Sequence, residues 1–242
     1  MVLTSYLFAF DMIKLKEFFS DFISLFYPHC CVGCGKALVK GEEYLCLSCL
    51  FEMPYAGISE HKWNFLEERL SGRIRLQYAT TYLFFEKDGI TQQILHELKY
   101  RGNLELGMKF GRMFGKELKR GRFKSVDALV PVPLHPNKLK VRGYNQSEVI
   151  CRGMAEVMKI PVMNNLMERV VENSTQTKKG AEERWENVQG IFQLKNEEQV
   201  KGMHLLLVDD VLTTGATLEA MAMPFKYLSE ITISIAALAA VN

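Results

Sequence analysis

The sequence HLLLVDDVLTTGAT, at residues 204–217, decides the fold of this chain. Its apolar residues at 205–208 predict a strand that is buried on both faces of a sheet. Two acids and a small, polar turn follow, and a helix is predicted after Gly215. A buried strand that leads through a turn into a helix is typical of α/β folds, in which the loops after the strands open toward ligands.

Strands alternate with helices in the surrounding sequence as well. A short extended stretch is expected near Val170, and residue types and spacing predict further strands at 78–85, 128–132 and 231–241 and helices at 88–99, 102–119 and 146–158. Parallel strands need long crossover connections, which are usually helical. The alternation therefore predicts an α/β fold with a mostly parallel sheet flanked by helices on both faces.

The turn after the acids has the groups that bind phosphate. Backbone N–H groups and hydroxyls at the start of a helix attract an anion both as donors and through the helix dipole. Asp209 and Asp210 would repel phosphate, so we expect them to bind ribose hydroxyls and a hydrated Mg²⁺ instead. A threonine-rich turn without a ligand is the alternative. The predicted phosphate site consists of Thr213, Thr214, Gly215, Ala216 and Thr217.

Four of the six cysteines lie close together, ahead of the alternating region. Two C-x-x-C knuckles, at residues 31–34 and 46–49, supply the four soft ligands of a tetrahedral zinc site. A structural Zn²⁺ would help to fold a segment that is too short to bury its own core. Reduced thiols or a disulfide are the alternatives, and Cys30 or His29 could replace the first ligand. The predicted ligands are Cys31, Cys34, Cys46 and Cys49.

Composition limits the possible functions. The chain has 242 residues, 48% of them hydrophobic and 24% charged, and its net charge of +2 argues against a large nucleic-acid footprint. Charges interrupt the apolar residues 1–27, which predicts an amphipathic packing helix and no stable membrane insertion. No small-residue cleavage site follows, so we expect a cytoplasmic protein. Met12 is an alternative start of the chain.

Residues 205–217 resemble the motif with which type I phosphoribosyltransferases bind phosphoribosyl pyrophosphate (PRPP). Together with the cysteine knuckles, LVPVPLHPNKLKVRGYNQ at 129–146 and RVVENSTQTKKGAEERWENV at 169–188 are similar to the ComF family, bacterial proteins linked to competence and DNA utilisation. The resemblance runs from Pro28 to the C-terminus. It implies a zinc-ribbon-like module at 28–54 and a type I phosphoribosyltransferase-like domain at 78–242, with the amphipathic extension at 1–27 before them and a linker at 55–77 between them.

The resemblance also implies a role for each segment. Residues 132–145 match the family's pyrophosphate loop, whose cations and glycine suit a highly charged leaving group. The residues assigned to this loop are Pro133, Leu134, His135, Lys138, Lys140, Arg142, Gly143, Asn145 and Gln146. Residues 169–188 match a lid that covers the substrate, at the positions Arg169, Thr175, Gln176, Arg184 and Asn187. The implied catalytic residues are Asp209, Asp210 and Arg142.

Two functions follow from the resemblance. In the first, the chain is a PRPP-dependent transferase that uses Mg²⁺ and passes the phosphoribosyl group to an unknown acceptor. In the second, it is a non-enzymatic DNA-uptake factor that binds single-stranded DNA or a helicase, with the transferase fold as a sensor or scaffold. Residues 98–102 resemble a further ComF signature, with two cations and a tyrosine directed at the cleft or a nucleic acid. Purine or pyrimidine salvage is a third option, although no base-selecting segment is evident.

Overall fold

A computed structural model describes residues 28–171, 190–228 and 230–242 of the chain. The chain divides into two compact units, Met1–Glu52 and Met53–Asn242. The amphipathic helix expected at residues 1–27 lies outside the described residues. Among the helices that are described, none combines the length and the apolar character needed to cross a membrane.

The first unit, as far as it is described, consists of short turns and one helix. Backbone pairing joins Cys30 to Ala37 around the first C-x-x-C knuckle. Helix α1 (Leu47–Phe51) follows the second turn, and the sulfur of its N-cap, Cys46, accepts a hydrogen bond from the backbone N–H of Cys49. The buried side chains of this unit are mainly thiols: Cys31, Leu45, Cys46 and Cys49. Residues 28–52 are therefore organised around their cysteines rather than around an apolar core.

The second unit is organised on a parallel sheet. Its described strands are β1 (Ala79–Phe84), β2 (Ala128–Pro131), β3 (Met167–Arg169), β4 (Phe192–Leu194), β5 (His204–Leu212) and β6 (Thr232–Ala240). Four of them form a sheet in the order β1-β6-β5-β2, and every neighbouring pair is parallel. β3 and β4 form a separate antiparallel pair. Nearly every residue of the central strands β5 and β6 is buried, which explains the apolar runs at 205–208 and 235–240.

Helices cover both faces of this sheet, as the sequence predicts. They are α2 (Phe65–Leu70), α3 (Ile90–Tyr100), α4 (Leu104–Leu118), α5 (Pro136–Arg142), α6 (Gln146–Met158) and α7 (Ala216–Ala222). Leu205 and Leu207 of β5 share an apolar cluster with residues of α2 and α7, and Leu206 between them does not. Alternate residues of a strand face opposite sides, so α4 and α6, which contact the strands outside that cluster, cover the other face.

The segment 55–77, expected to be a linker, belongs to the second unit and packs on β1. Asn64 caps α2 by accepting a hydrogen bond from the N–H of Leu66, and its amide donates to the carbonyl of Ala79 at 2.9 Å. Leu66 and Leu70 are fully buried. Two apolar residues one turn apart are too short a pattern to predict a helix from sequence.

Helices α4 and α6 pack with their backbones in contact, because glycines stand where they cross. A Cβ atom on Gly111 would lie 2.3 Å from the carbonyl oxygen of Ile150. A Cβ atom on Gly153 would lie 2.3 Å from the carbonyl oxygen of Met108. Neither glycine has space for a methyl group, so this packing holds α6 at a fixed height against α4.

Replacement of Gly153 by alanine tests this packing. Alanine favours a helix by about 1 kcal/mol over glycine, but the added methyl group would push the two backbones apart. We expect a net destabilisation of about 1–3 kcal/mol in the free energy of unfolding, measured in urea. Lys116→Ala, at an exposed position of α4, is the control and should change stability by less than about 0.5 kcal/mol. A Gly153→Ala variant as stable as the natural chain would contradict the backbone contact.

Candidate functional site

The carboxyl end of β5 carries the acid pair of the candidate site. The strand continues through both acids to Leu212, and Asp209 and Asp210 are only 7% and 3% exposed. Asp209 Oδ1 accepts hydrogen bonds from Ser147 Oγ at 3.2 Å and from the N–H of Asp210 at 2.9 Å. The Lys99 ammonium lies 3.0 Å from Asp210 Oδ2. The acid pair therefore joins β5 to the end of α3 and the start of α6.

Burial changes the ionisation of Asp209. Burial and, after it, the negative charge of Asp210 raise the pKa of Asp209 to about 7, against the hydrogen bonds from Asp210 and Ser147 and the charge of Lys99. Two adjacent buried carboxylates cannot both ionise without cost. Asp210 Oδ2 is paired with the Lys99 ammonium but accepts no other hydrogen bond from the residues described, so it can still accept one from a hydroxyl or contact a cation.

The turn after β5 is open to solvent, as phosphate binding requires. Gly215 is its buried residue and has a φ of +83°, and a Cβ atom there would lie 2.6 Å from Leu70 Cδ2. Glycine is required because the backbone is left-handed and closely approaches α2. The exposed residues of the turn are Thr213, Thr214, Ala216 and Thr217.

Two arginines from the expected linker hold the turn. Arg69 donates a hydrogen bond to the carbonyl of Thr213 at 3.0 Å, and Arg73 donates one to the carbonyl of Thr214 at 2.8 Å. Arg73 also pairs with Glu219 of α7. The sequence gives no signal for these contacts, because the partners lie 144 and 141 residues apart in the chain.

The predicted pyrophosphate loop contains a helix. α5 begins with Pro136, is capped by His135 and ends at Gly143, which has a φ of +83°. Proline fixes the backbone of a first helical turn and glycine adopts the left-handed conformation that ends one, so local sequence explains both boundaries. Lys140 is exposed, and the other assigned residues ahead of Arg142 are half-buried: Pro133, Leu134, His135 and Lys138.

The last residue of this helix is a cation, and a structural amide follows it at the start of α6. Arg142 is half-buried, donates a hydrogen bond to Gln146 Oε1 and lies 5.8 Å from the centre of the exposed Tyr100 ring. Asn145 is buried, caps α6 with its side-chain oxygen and donates to the carbonyl of Val132 at 2.9 Å. Both polar groups of Asn145 thus serve the backbone and fix the connection between β2 and α6.

Arg169 is the one predicted lid residue within the described part of the chain. It ends β3, and its Nε donates to the carbonyl of Val171 at 3.1 Å. Burial lowers the pKa of Arg169, and the negative charge of Asp209 opposes that shift, so the guanidinium lies within electrostatic reach of the acid pair. The predicted lid residues outside the described part are Thr175, Gln176, Arg184 and Asn187.

The two side chains that contact the acid pair differ in whether the sequence could have predicted them. Ser147 is not assigned to the site, because a serine in the first turn of a helix is an ordinary residue there. Lys99 lies in the family signature at residues 98–102, and this signature is the signal from which its place beside Asp210 could have been found.

The cysteines of the two knuckles form a group that is positioned to bind a metal ion. Their sulfur atoms all lie within 4.8 Å of one another, and the group consists of Cys31, Cys34, Cys46 and Cys49. The sulfur atoms of Cys34 and Cys46 are 3.7 Å apart. Tetrahedral zinc with bonds of about 2.3 Å requires about 3.8 Å between sulfurs, so the spacing fits. Cys30 and His29 are not part of this group.

Backbone donors favour the thiolate form of one cysteine in this group. Burial opposes ionisation of Cys31, but hydrogen bonds from the backbone of Cys46, Cys34 and Gly33 outweigh it and lower the pKa to about 6. Burial and then the neighbouring thiols raise the pKa of Cys49. Thiolates rather than thiols bind metals, and a bound cation removes the repulsion between them.

The sheet and the segment around β5 define the class of protein. The sequence profile described as Phosphoribosyl transferase domain matches residues 149–241, which include the acid pair and the turn. Together with the parallel sheet, this match shows a phosphoribosyltransferase-like fold. Adenine phosphoribosyltransferase from Leishmania tarentolae aligns over 73% of this chain and 88% of that chain, with 11% identity and a TM-score of 0.38.

Related sequences identify the family. Competence protein ComFC of Bacillus subtilis (strain 168) is 32% identical over 200 residues, which cover 76% of this chain and 79% of that protein. Competence protein F of Haemophilus influenzae is 25% identical over 212 residues, or 81% of this chain and 90% of that protein. DNA utilization protein YhgH of Salmonella typhimurium is 31% identical over 133 residues, which are 53% of this chain and 58% of that protein. The chain belongs to the ComF family.

Replacement of Asp209 by asparagine tests the raised pKa of this buried acid. An unfolded aspartate has a pKa of about 3.9, so the folded chain binds an additional proton between about pH 4 and 7. Asp209 therefore makes the fold less stable as the pH rises through this window. Relative to the natural chain, Asp209→Asn should gain stability from pH 4 to 7, on the order of a few kcal/mol in urea unfolding.

The exposed Glu198→Gln variant is the control for this comparison, and its stability difference should not change over the same pH range. A stability difference between Asp209→Asn and the natural chain that stays constant with pH would show that Asp209 titrates in its ordinary range.

Cysteine substitutions test the metal group. We expect the purified chain to contain one metal ion, measured by inductively coupled plasma mass spectrometry, because four thiolates complete a tetrahedral site. Cys49→Ser should lose the ion, and Cys30→Ser, outside the group, should keep it. Metal retained in Cys49→Ser but lost in Cys30→Ser would mean that a different set of ligands is used.

Proposed function

We propose that this chain binds PRPP and transfers its phosphoribosyl group to an acceptor nucleophile. The observation that supports this most strongly is the buried acid pair of β5, followed at once by an exposed turn of small and hydroxyl residues at 213–217. The two features offer different chemistry side by side: oxygen acceptors for hydroxyls or a cation, and donors for an anion. A phosphorylated pentose needs both.

In this proposal the turn holds the 5'-phosphate of PRPP. The hydroxyl groups of Thr213, Thr214 and Thr217 and the backbone N–H groups of the turn are its donors. Arg69 and Arg73 bind carbonyl oxygens of the same turn. They keep the turn in place and add positive charge close to the phosphate.

The acid pair orients the ribose. Asp210 Oδ2 is a buried acceptor that a ribose hydroxyl can satisfy. Lys99 offsets the charge of Asp210, and Ser147 fixes the carboxyl group of Asp209. These groups hold the sugar still while the reaction takes place at its anomeric carbon, which lowers the entropic part of the barrier.

The reaction breaks the bond between the anomeric carbon and the pyrophosphate oxygen, and the bonding electrons leave with pyrophosphate. The acceptor nucleophile forms the new bond to that carbon. Arg142, Lys138 and Lys140 are the cations of the adjacent segment that stabilise the charge of the leaving group. Mg²⁺, when bound with PRPP, supplies further positive charge, and the oxygens of Asp209 and Asp210 suit such a hydrated cation.

Two other parts of the chain have supporting roles in this proposal. Cys31, Cys34, Cys46 and Cys49 hold a structural Zn²⁺, which stabilises the first unit in place of an apolar core. Arg169, on which the charge of Asp209 acts, lies at the start of the segment 169–188, which matches the family's lid and lies outside the described residues after Val171.

The names of the relatives favour a role in competence and DNA utilisation. Competence protein F and ComFC carry competence in their names, and YhgH carries DNA utilization. We infer that this chain also acts in DNA uptake, as a transferase or as a factor that binds single-stranded DNA or a helicase. Pyrophosphate release from PRPP that depends on Mg²⁺ and on an added nucleophile separates the two: it is expected of the transferase and not of the binding factor.

Calorimetry with PRPP and Mg²⁺ tests the proposed site. Asp210→Asn removes the negative charge that binds the ribose hydroxyl or the cation in this proposal. Thr214→Ala removes a hydrogen-bond donor to the phosphate. Each should weaken PRPP binding by about tenfold or more, since hydrogen bonds to charged groups contribute roughly 1.5–3 kcal/mol. Thr214→Ser keeps the hydroxyl and is the matched control, with binding close to that of the natural chain. Unaltered affinity in both Asp210→Asn and Thr214→Ala would rule out PRPP binding at this site.

A further inference from the structure

The second unit also contains a cavity that is not lined by either residue of the acid pair. It has a volume of about 480 Å³, within the range of small-molecule sites. Its walls combine two aromatic side chains with three cations: Trp63, Tyr78, Lys62, Arg75 and Arg122. None of these residues belongs to the PRPP site proposed above.

Trp63 is exposed on a backbone that is held firmly. Trp63 is 67% exposed, and its positive φ of 56° is unusual for a bulky residue. The N–H of Trp63 donates to Glu67 Oε2 at 2.7 Å, and the next residue, Asn64, is the buried cap of α2. A strained backbone kept in place by its neighbours presents the indole to the cavity, and such strain is concentrated at functional sites.

Arg122 and Tyr78 of the lining are also held in place. The Arg122 guanidinium lies 4.3 Å from the centre of the Tyr78 ring and pairs with Glu67 Oε1 at 2.9 Å. Glu67 accepts hydrogen bonds from two backbone N–H groups as well, those of Trp63 and Ala79. The one carboxylate of the lining is thus satisfied by Arg122 and two backbone groups, and it does not offset the positive charge of Lys62 and Arg75.

Two cations of the lining have no partner among the residues described. Lys62 and Arg75 are exposed and form no ion pair or side-chain hydrogen bond there. Arg73, two residues before Arg75, does have partners: it donates a hydrogen bond to the carbonyl of Thr214 in the turn and pairs with Glu219 of α7. The segment 71–77 therefore supports the turn with Arg73 and lines the cavity with Arg75.

We propose that this cavity is a nucleotide-binding site, in which the base stacks on Trp63 and the phosphate pairs with Arg75 and Lys62. An exposed aromatic face beside free cations matches the two halves of a nucleotide, since every base has a face for stacking and every nucleotide an anion. An apolar ligand would leave the cations unused, and an inorganic anion would leave the indole unused. The nucleotide is either a free mononucleotide or one residue of a single strand.

The two tryptophans of the chain make this site directly observable. Trp185→Phe leaves Trp63 as the sole tryptophan, so that its fluorescence reports on this cavity alone. The probes are thymidine 5'-monophosphate and a short oligothymidylate, added to the full-length chain. We expect saturable quenching of Trp63 by at least one probe. Binding of both indicates a site for a free nucleotide, and binding of the oligonucleotide alone indicates a site for a strand.

Calorimetry on variants of the natural chain identifies the residues responsible. Trp63→Leu and Arg75→Ala should each weaken binding by about fivefold or more, which is the lower end of what stacking or a charged contact contributes. Trp63→Phe keeps an aromatic face and should bind within about threefold of the natural chain. Arg120→Ala removes the same charge at an exposed position outside the cavity and should have no effect. Unchanged melting temperatures show that the variants are folded.

Three results would overturn the proposal. They are the absence of binding by both probes, binding that is unchanged in Trp63→Leu and Arg75→Ala, and binding that is lost in Thr214→Ala but kept in those two variants. The last result would place the nucleotide in the turn after β5. Because PRPP binding is measured on different variants, failure of this site and failure of the proposed transferase site are distinguishable.

Discussion

The candidate site depends on the burial of two adjacent carboxyl groups at the end of β5. Asp209 and Asp210 are held inside the protein by a serine hydroxyl from α6 and an ammonium from α3. Burial of charge is costly unless it is paired, and the raised pKa of Asp209 shows the remaining cost. Such an arrangement persists only if the helices that supply the partners are themselves held in place. The contact between the glycines of α4 and α6 provides that support.

The turn at 213–217 depends on a different part of the chain. Arg69 and Arg73 bind its carbonyl oxygens, and Leu70 leaves space only for glycine at position 215. These residues come from the segment that precedes β1, so α2 and the residues just after it support this turn. Arg75 and Trp63 of the same segment line the cavity that we propose as a nucleotide site. One short stretch of chain therefore lines or supports both proposed sites.

Much of the fold could be predicted from sequence because its signals are local. Each signal spans only a few consecutive residues: the apolar runs of β5 and β6, the two C-x-x-C knuckles and the glycine after β5. The helix predicted at 88–99 begins later in the structure, where Gly89 is the N-cap of α3. The expected linker at 55–77 contains α2, whose pair of buried leucines is too short a pattern to stand out from a loop.

The sequence by itself determined the class of fold, the four thiols of the metal group and the positions of the acid pair and the turn. These follow from residue types at fixed short spacing, which backbone geometry converts directly into structure. Only the tertiary structure decided which side chains meet the acids and the turn, namely Lys99, Ser147, Arg69 and Arg73. Those contacts join elements that are far apart along the chain, and their geometry is set by the packing of helices on the sheet, which no local pattern encodes.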